Sequence, residues 1–483
     1  MGAPYDAYEL VCGLEVHLQL KTASKAYSGD KNEYGALPNT LVDPLNVGMP
    51  GTLPVVNKRS VELAIRLGLA FDCEIAEEMH FARKNYFYAD LPKGYQITQD
   101  TTPICSGGHV HIKLSDGRTR DIELTRIHME EDAGKSIHDQ DPFNTLVDLN
   151  RAGVPLVEVV SEPVIYDPEE AYAYLTEIRR VVRYLDVCDG NMEEGSMRCD
   201  ANVSVRKKGI KELGQRTEVK NMNSFRNVQR AIAFEMKRQI DILESGGSIH
   251  METRSYDAVN DRTFGLRSKE LAHDYRYFPE PDIQPLLVTR EDVAEVRKSL
   301  PPLPRELHKK YTEELGLSAY DAGVLTEEKE IALYFEALLE HTPKAKSAAN
   351  WVMGEIKSWL NKQAKEIDEF PISPKRLASL IGLIEEGKVS SSIASQNIFP
   401  EMLVSEEDPL QIAERLDLIQ DSSEDSITEF VEQAIAAYPD KAEAYRQGNK
   451  GLLGLFMGEV MKLSQRKADP KAASQKLREL LEK

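Results

Sequence analysis

The first strand-like segment of the chain carries side chains that could hold a metal ion. In GLEVHLQL, residues 13–20, apolar and polar residues alternate. A strand places alternate residues on opposite faces, so the even-numbered apolar residues share one face and Glu15, His17 and Gln19 share the other. A carboxylate and an imidazole two residues apart can act together as metal ligands. A solvated sheet face is the plainer alternative for one isolated strand.

The same alternation returns in a longer segment, SMRCDANVSVR, residues 196–206. Its polar face carries Arg198 and Asp200. A Gly-containing connection leads to QRTEVKN, in which Glu218 and Lys220 share a face. Two alternating runs joined by a short Gly-bearing loop predict a β-hairpin.

Further polar residues occur in RIHMEEDAGKS, where His128 and Glu130 fall on one side and Glu131 and Asp132 are expected at a turn. NRAGVPLVEVVSEP is a strand candidate that begins with Asn150 and Arg151. Carboxylates suit Mg²⁺, and Arg and Lys match phosphate oxygens. The set favours a site for a divalent cation and a polyphosphate.

Composition limits the class of protein. The 483 residues are too many for one core and predict two to four domains. A net charge of −20 argues against an indiscriminate nucleic-acid binder, although a local basic patch remains possible. The five cysteines form no C-x-x-C pair, and the chain has no long apolar run and no signal-peptide pattern. We therefore expect a cytoplasmic protein with reduced thiols and no membrane association.

The chain changes character after the prolines of SLPPLPREL. Short alternating segments precede this point, and helical periodicity follows it, with Trp351 on an apolar helix face. The predicted fold is α+β. A catalytic cradle domain on a largely antiparallel sheet spans 1–295, an all-α domain spans 296–405, and a small α-helical tail spans 406–483.

Two short motifs do not support other catalytic classes. AGKS, residues 133–136, lacks the first glycine of a phosphate-binding loop, because Met129 occupies that position. SGGS, residues 245–248, is interpreted as a glycine turn that ends a helix. No cysteine stands in a nucleophile signature, so the chain lacks a convincing amide-hydrolysing centre of its own.

Seven segments together resemble one known family: GLEVHLQLKTASK, RKNYFYADLPKGYQIT, HMEEDAGKS, NRAGVPLVEVVSEP, EGSMRCDANVSVR, TEVKNMNSFRNVQRAI and KELAHDYRYFPEPD. The family is that of the B subunit of the aspartyl/glutamyl-tRNA(Asn/Gln) amidotransferase. The resemblance runs from Tyr8 to the end of the chain and is most specific up to Asp282.

The resemblance implies a two-step reaction. ATP phosphorylates the side-chain carboxylate of Glu or Asp that is misacylated onto tRNA(Gln) or tRNA(Asn), and ammonia then displaces the phosphate. Phosphoryl transfer needs positioning and charge neutralisation more than a covalent catalyst. The implied partners are an amidase, or A subunit, which makes the ammonia, a small C subunit of the same complex, and the aminoacyl-tRNA. The implied cofactors are ATP and Mg²⁺.

The resemblance also assigns roles to residues. Glu15, His17 and Glu130 match positions that hold the catalytic Mg²⁺. The polar face of the predicted sheet, apart from the resemblance, adds Glu131, Asp200 and Glu218 as further catalytic candidates. Candidate nucleotide or phosphate contacts are Lys84, Arg198 and Lys220.

The tail differs in charge from the rest of the chain. From Lys441 to Lys483 there are ten Lys or Arg residues against five Asp or Glu residues. The solvated side of amphipathic helices would explain this, but with the family precedent we expect contact with the tRNA backbone. The candidate contacts are Lys450, Lys462, Arg466, Lys467 and Lys471.

One departure from the resembled family concerns zinc. Many members carry two cysteine pairs early in the cradle domain, and the matching positions here are Ser28, Asp30, Asp43 and Asn46. Oxygen ligands have little affinity for zinc in closed tetrahedral sites, so no structural zinc is expected. A Ca²⁺ site in residues 28–46 is the alternative to a metal-free loop.

Two other classes of function remain possible from the residues alone. One is a catalytically silent tRNA-binding scaffold, which an intact set of Glu15, His17 and Glu130 disfavours. The other is a small-molecule ligase that forms acyl phosphates, which the basic tail disfavours.

Overall fold

The computed structural model describes residues 5–268, 275–419, 424–464, 468 and 470–482. Part of the KELAHDYRYFPEPD segment, residues 269–274, and the tail residues Arg466 and Lys467 therefore lie outside the described residues. The chain divides into two compact units, Met1–Pro304 and Arg305–Lys483.

The first unit is built on a large mixed sheet. The strands of this unit are β1 (Tyr8–Gln19), β2 (Glu74–Ile75), β3 (Glu78–Met79), β4 (Ala82–Asn85), β5 (Tyr95–Thr98), β6 (Cys105–Ser106), β7 (His109–Lys113), β8 (Thr119–Glu131), β9 (Lys135–Ile137), β10 (Leu146–Asp148), β11 (Pro155–Ser161), β12 (Met197–Lys207), β13 (Thr217–Lys220), β14 (Glu252–Asp257), β15 (Arg262–Ser268), β16 (Phe278–Pro279) and β17 (Leu286–Leu287). Strands β9 and β10 form a separate two-stranded sheet, and so do β3 and β17. The helices of this unit are α1 (Lys58–Ala70), α2 (Pro168–Tyr184), α3 (Phe225–Glu244) and α4 (Arg290–Lys298).

The main path of the sheet runs β15-β14-β13-β12-β1-β11-β8-β5-β4-β16. Neighbours on this path are antiparallel except for β13 and β14, which are parallel. The predicted α+β class with a largely antiparallel sheet is confirmed.

The central strand β1 has one apolar and one polar face, as its alternation predicts. Leu14, Val16 and Leu18 are buried in one core with apolar residues of β12 and of the three long helices α1, α2 and α3. Glu15 and His17 are only partly buried on the opposite face. The helices cover the apolar face, so the polar face is left to form a site.

Local predictions around this sheet are also confirmed. β12 and β13 pair as an antiparallel hairpin in which Asn202 lies opposite Glu218. Helix α3 begins where the Ser224 hydroxyl accepts the Asn227 N–H, and it ends at Glu244 before Gly246, whose φ is +81°. The AGKS motif leads into strand β9 instead of the helix that a phosphate-binding loop requires.

The second unit is helical. Its α-helices are α5 (Pro304–Lys309), α6 (Ala319–Leu325), α7 (Lys329–Leu339), α8 (Ala345–Trp351), α9 (Lys357–Gln363), α10 (Pro374–Glu385), α11 (Ser391–Ile393), α12 (Phe399–Val404), α13 (Pro409–Arg415), α14 (Glu424–Ala437), α15 (Pro439–Arg446), α16 (Leu453–Leu463) and α17 (Pro470–Leu481). Single π-helical turns at Lys310–Glu314, Val352–Ile356 and Ala394–Ile398 follow α5, α8 and α11.

Two cores can be distinguished within the helical unit. Trp351 is buried, as its helical spacing predicts. Helix α13 contacts α10 and buries Ile412 and Ala413. Helices α14 to α17 enclose a separate apolar core that runs from Ile427 to Leu481. In the described part of the chain no helix combines the length and apolar character needed to cross a membrane.

Candidate active site

A cleft of about 370 Å³ opens on the polar face of the sheet. Six of the residues predicted from sequence line it: His17, Lys84, Glu130, Arg198, Asp200 and Lys220. Strand register explains why they meet. His17 lies opposite Arg198 on β12 and opposite Glu158 on β11. Residues far apart in sequence therefore share one surface, which extends from β13 across β12, β1 and β11 to β8 and on to β4.

A first acidic cluster, His17, Glu130 and Glu158, lies where β1, β11 and β8 run side by side. His17 Nε2 is 3.4 Å from Glu158 Oε2 and 3.7 Å from Glu130 Oε1. One ligand atom from each of the three residues lies within 4.8 Å of the other two. His128 adds a second imidazole, with Nε2 3.3 Å from Glu158 Oε2. Glu130 Oε2 is buried and has no hydrogen-bond partner among the described residues.

A second acidic cluster, Glu15, Asp200 and Glu218, lies beside it on β1, β12 and β13. Its carboxylate oxygens are also within 4.8 Å of one another. Asn202 Nδ2 donates a 2.8 Å hydrogen bond to Glu15 Oε1, and Lys220 Nζ lies 3.2 Å from Glu218 Oε1 and also bonds Asp200. Glu15 and His17 thus share a face but belong to different clusters.

The electrostatics of these clusters reflect a surplus of carboxylates. Burial alone would lower the pKa of His17, but Glu158 and Glu130 outweigh it and raise that pKa to about 9. Burial raises the pKa of Glu15, and the neighbouring charges of Glu158 and Asp200 raise it further. Because the same surplus negative charge favours any cation, the donor set fits a divalent metal.

Positive side chains surround the clusters. Burial alone would lower the pKa of Lys84, but Glu130 and two tyrosines near its ammonium raise it. Arg198 Nη2 donates to Asp132 Oδ2 at 2.9 Å. Burial alone would lower the pKa of Lys220, and Asp200 and Glu218 raise it strongly. All three side chains stay charged near neutral pH and can neutralise phosphate oxygens.

Glu131 is placed differently from the other candidates. Sequence reasoning expected a turn here, but β8 continues through Glu131, which pairs with Pro155 of β11. Adjacent strand residues point to opposite faces, so Glu131 faces away from Glu130. Its buried carboxylate accepts the Ile97 N–H at 2.9 Å and pairs with the nearly buried ammonium of Lys93. The structure therefore does not bring Glu131 into either acidic cluster.

Glu158 is the site residue that sequence reasoning missed. It lies in the middle of β11 and contacts both His17 and His128. The signal available was a single carboxylate inside the otherwise apolar run PLVEVV. Burial alone would raise its pKa, but the two imidazoles hold that pKa well below its usual range.

Residues 28–46 form a loop, the 28–46 loop. It is held by hydrogen bonds between Ser28, Asp30, Asp43 and Asn46, the residues at the positions where many family members carry cysteines. Asn46 Nδ2 donates to Ser28 Oγ at 3.2 Å and to Asp30 Oδ2 at 3.1 Å. The Asp43 N–H donates to the same Asp30 oxygen at 2.8 Å. The amide of Asn46 and the carboxylate of Asp30 therefore link the two ends of the loop.

Lys25 supplies a cation to this loop. Its side chain is fully buried, and Nζ donates 2.7 Å hydrogen bonds to the carbonyl oxygens of Leu41 and Ala152. Nζ also lies 3.5 Å from Asp30 Oδ2. A buried ammonium is stable when acceptors surround it, and here two carbonyls and a carboxylate do so.

The predicted tail contacts are exposed or carry acidic partners. Lys450 Nζ lies 3.1 Å from Glu482 Oε1 and over the ring of Tyr445. Lys462, on α16, lies 3.2 Å from Glu459. Lys471 lies on α17 and is exposed.

Comparison with known proteins places this site in a known class. Residues 10–294 match the model of the GatB/GatE catalytic domain, and residues 333–481 match that of the GatB domain. The sheet face with its two acidic clusters thus lies in a catalytic domain of this class.

Close relatives share nearly the whole chain. The B subunit of the aspartyl/glutamyl-tRNA(Asn/Gln) amidotransferase of Chlorobium phaeobacteroides (strain BS1) is 49% identical over 99% of this chain and all of its own length. The protein of the same name from Chlorobium limicola is 50% identical over 98% of this chain and 99% of its own, and that of Geobacter sulfurreducens 50% over 97% and 98%. The chain belongs to the family of aspartyl/glutamyl-tRNA(Asn/Gln) amidotransferase B subunits.

Proposed function

We propose that the cleft activates and amidates the side-chain carboxylate of Glu esterified to tRNA(Gln), of Asp esterified to tRNA(Asn), or of both. ATP phosphorylates the carboxylate, and ammonia displaces the phosphate to leave the amide. The observation that carries the proposal is the pair of adjacent acidic clusters on one sheet face. Such an arrangement suits a metal-assisted phosphoryl transfer, in which positioning and charge neutralisation supply most of the catalysis.

The acidic clusters fit Mg²⁺ by their chemistry. All of the carboxylate donors are hard oxygens, and Glu130 Oε2 is a buried acceptor without a hydrogen-bond partner among the described residues. The first cluster, with His17 and Glu130 of the sequence-based set and Glu158, would hold one divalent ion, and the second, with Glu15 of that set, Asp200 and Glu218, would hold another. Bound Mg²⁺ would neutralise charge on the phosphates of ATP.

The cations of the cleft have complementary roles. Lys84, Arg198 and Lys220 orient phosphate oxygens and offset the charge that develops in phosphoryl transfer. Asp132 fixes Arg198 by the 2.9 Å hydrogen bond between them. Glu131 is a positioning residue, because its contacts with Lys93 and the Ile97 N–H fix the end of β8 next to Glu130.

Ammonia must come from a partner. All five cysteines are buried, and burial raises the pKa of Cys73 and of Cys188 to about 12, so neither is a ready thiolate nucleophile. We therefore assign ammonia production to an amidase, the A subunit, with a small C subunit stabilising a cytoplasmic complex. Transfer within that complex would keep ammonia from bulk water.

ATP hydrolysis by the purified complex tests the reaction and its substrate. We expect hydrolysis to rise when glutamyl-tRNA(Gln) or aspartyl-tRNA(Asn) is added, and the activating tRNA identifies the substrate. Uncharged tRNA is the control, because it lacks the carboxylate to be phosphorylated. Hydrolysis that is indifferent to both charged tRNAs would favour the scaffold alternative.

The helical tail is proposed to contact the tRNA backbone. Its basic residues, which include Arg466 and Lys467, give the tail a net positive charge in an otherwise acidic protein. Contacts with phosphates are sequence-independent and sensitive to salt. A chain that ends at residue 419 removes the separate core of α14 to α17 and retains α13. We expect the KM for charged tRNA to rise about tenfold, with a weaker salt dependence, while assembly with the amidase persists. An unchanged KM contradicts this role.

The 28–46 loop is proposed to hold no structural zinc. Asp30 already accepts a hydrogen bond from Asn46 and faces Lys25, and residues 28–46 include no Cys or His that could form a closed zinc site. Elemental analysis of the purified protein tests this proposal, and stoichiometric zinc would contradict it.

A further inference from the structure

Four tyrosines form a row beside the cleft. Tyr86 and Tyr88 follow β4, and Tyr275 and Tyr277 precede β16, which pairs with β4. Ring centroids are 5.8 Å apart for Tyr88 and Tyr86, 6.1 Å for Tyr86 and Tyr275, and 6.0 Å for Tyr275 and Tyr277. Each pair meets edge to face, with interplanar angles of 65°, 70° and 71°.

The inner part of the row reaches the wall of the cleft. Tyr86 lines the cleft, and its hydroxyl donates to Gln96 Oε1 at 3.2 Å. Lys84 also lines the cleft, and its Nζ lies 5.1 Å from the ring centroid of Tyr275. A phosphate-binding cation therefore stands between the acidic clusters and the tyrosines.

The outer rings of the row are open to solvent. The side chain of Tyr88 is 57% exposed and that of Tyr277 is 42% exposed. The backbone holds the segments together, because the Asn85 N–H donates to the Tyr275 carbonyl oxygen at 2.9 Å. A fixed row of accessible aromatic rings beside a cation is the arrangement on which proteins stack nucleobases.

We propose that this tyrosine row binds the adenine base of a substrate at the cleft. The inference rests on the proposed function, in which ATP and the 3′-terminal adenosine of the charged tRNA each carry an adenine. In either case the base stacks on an exposed ring at one end of the row, a phosphate lies near Lys84, and the reacting group reaches the acidic clusters. Any nucleobase can stack on an aromatic ring, so the row contributes to binding affinity more than to selection of the base.

Steady-state amidation by the assembled complex tests the row. In the double variant Tyr88→Leu, Tyr277→Leu we expect a rise of about tenfold or more in one KM, with a smaller change in kcat, because base stacking on aromatic rings is typically of that size. A rise in the KM for ATP assigns the row to the nucleotide. A rise in the KM for aminoacyl-tRNA assigns it to the terminal adenosine.

Two control variants separate stacking from folding. Tyr88→Phe with Tyr277→Phe keeps the rings and should keep both KM values near wild type. Tyr320→Leu removes a tyrosine that is 77% exposed in the helical unit and should change neither. If both KM values of the leucine variant match wild type, whether or not kcat falls, the row is not a stacking site. Failure of the proposed function would look different, since the wild-type complex would then show no ATP-dependent amidation.

Discussion

Two regions of the first unit concentrate acidic side chains, the cleft and the 28–46 loop. In the loop, Asp30 accepts hydrogen bonds from Asn46 and from the Asp43 N–H and lies 3.5 Å from the ammonium of Lys25. In the cleft, Glu130 keeps a buried oxygen without a hydrogen-bond partner among the described residues. In the loop, groups of the chain satisfy the hydrogen-bonding capacity of the Asp30 carboxylate. In the cleft, part of the hydrogen-bonding capacity of the carboxylates is left for a ligand.

Structural and functional acidic residues differ in how completely their oxygens are hydrogen-bonded. A buried carboxylate with complete hydrogen bonding stabilises the fold, and its removal leaves other groups unsatisfied. A carboxylate crowded by like charges costs stability, and such strain is typical of functional sites. Changes in the cleft should therefore affect activity, and changes in the loop should affect stability.

The largest expected effect comes from the cleft. Glu15→Gln and His17→Ala should each lower the amidation rate by at least about 10²–10³-fold, because they remove metal-facing groups from phosphoryl transfer. Glutaminase activity of the partner should persist at least in part. The unfolding temperature of Glu15→Gln should stay close to that of the wild type in differential scanning calorimetry, whereas that of His17→Ala should fall, because this variant also removes the cation facing Glu158 and Glu130.

A matched control lies on the same sheet. Glu123→Gln changes an exposed carboxylate on β8 and should leave amidation unchanged. Near-normal amidation by both Glu15→Gln and His17→Ala would overturn the assignment of the cleft.

Glu131 should behave in the opposite way to its neighbour Glu130. Glu131→Gln leaves the nearly buried Lys93 without its carboxylate and should cost roughly 3–5 kcal/mol in the free energy of unfolding. Denaturant titration measures this loss. A Glu131→Gln variant with wild-type stability and no amidation would instead place Glu131 in the chemistry.

Lys25 should stabilise the loop by a somewhat smaller amount. Lys25→Met keeps the length of the side chain but leaves Asp30 and the carbonyls of Leu41 and Ala152 short of a donor. We expect a loss of about 3 kcal/mol in the free energy of unfolding, with little change in the amidation rate per folded molecule. Adding Asp30→Asn to Lys25→Met should recover part of the loss, because it removes the uncompensated charge. Wild-type stability of Lys25→Met would show that the ammonium does not hold the loop.

Chelation should affect the cleft and the 28–46 loop differently. Its expected effect on stability is the smallest among these predictions. EDTA should stop amidation, and added Mg²⁺ should restore it, whereas the unfolding temperature of the first unit should not move. A chelator-dependent drop in that temperature, reversed by zinc and not by Mg²⁺, would mean that the loop holds a metal.

The sequence predicted the faces of the strands better than it predicted which residues meet. The alternation in β1 separates Leu14 from Glu15 by a local rule, and the same rule gives the β12–β13 hairpin. The meeting of Glu158 with His17 depends on β11 lying beside β1, a long-range pairing that no local pattern encodes. Sequence reasoning therefore identified His17 and omitted Glu158.

Two other residues show the same limit. Glu131 was expected at a turn, and only the pairing of β8 with β11 extends the strand far enough to turn its carboxylate away from Glu130. Lys25 carried no signal, because an isolated lysine is usually exposed. Its burial depends on carbonyls at Leu41 and Ala152, which the fold brings from distant parts of the chain.

The buried ammonium of Lys25 also affects how newly made chains complete the 28–46 loop. A metal-bound loop is completed by a second-order encounter, whose extent depends on the free metal concentration in the cell. The cation of Lys25 is synthesised with the chain in a one-to-one ratio, so the loop can close in a first-order step. If the loop holds no metal, as proposed, every newly made chain can complete this region without a loading factor, and neither dilution nor metal starvation removes the lysine afterwards.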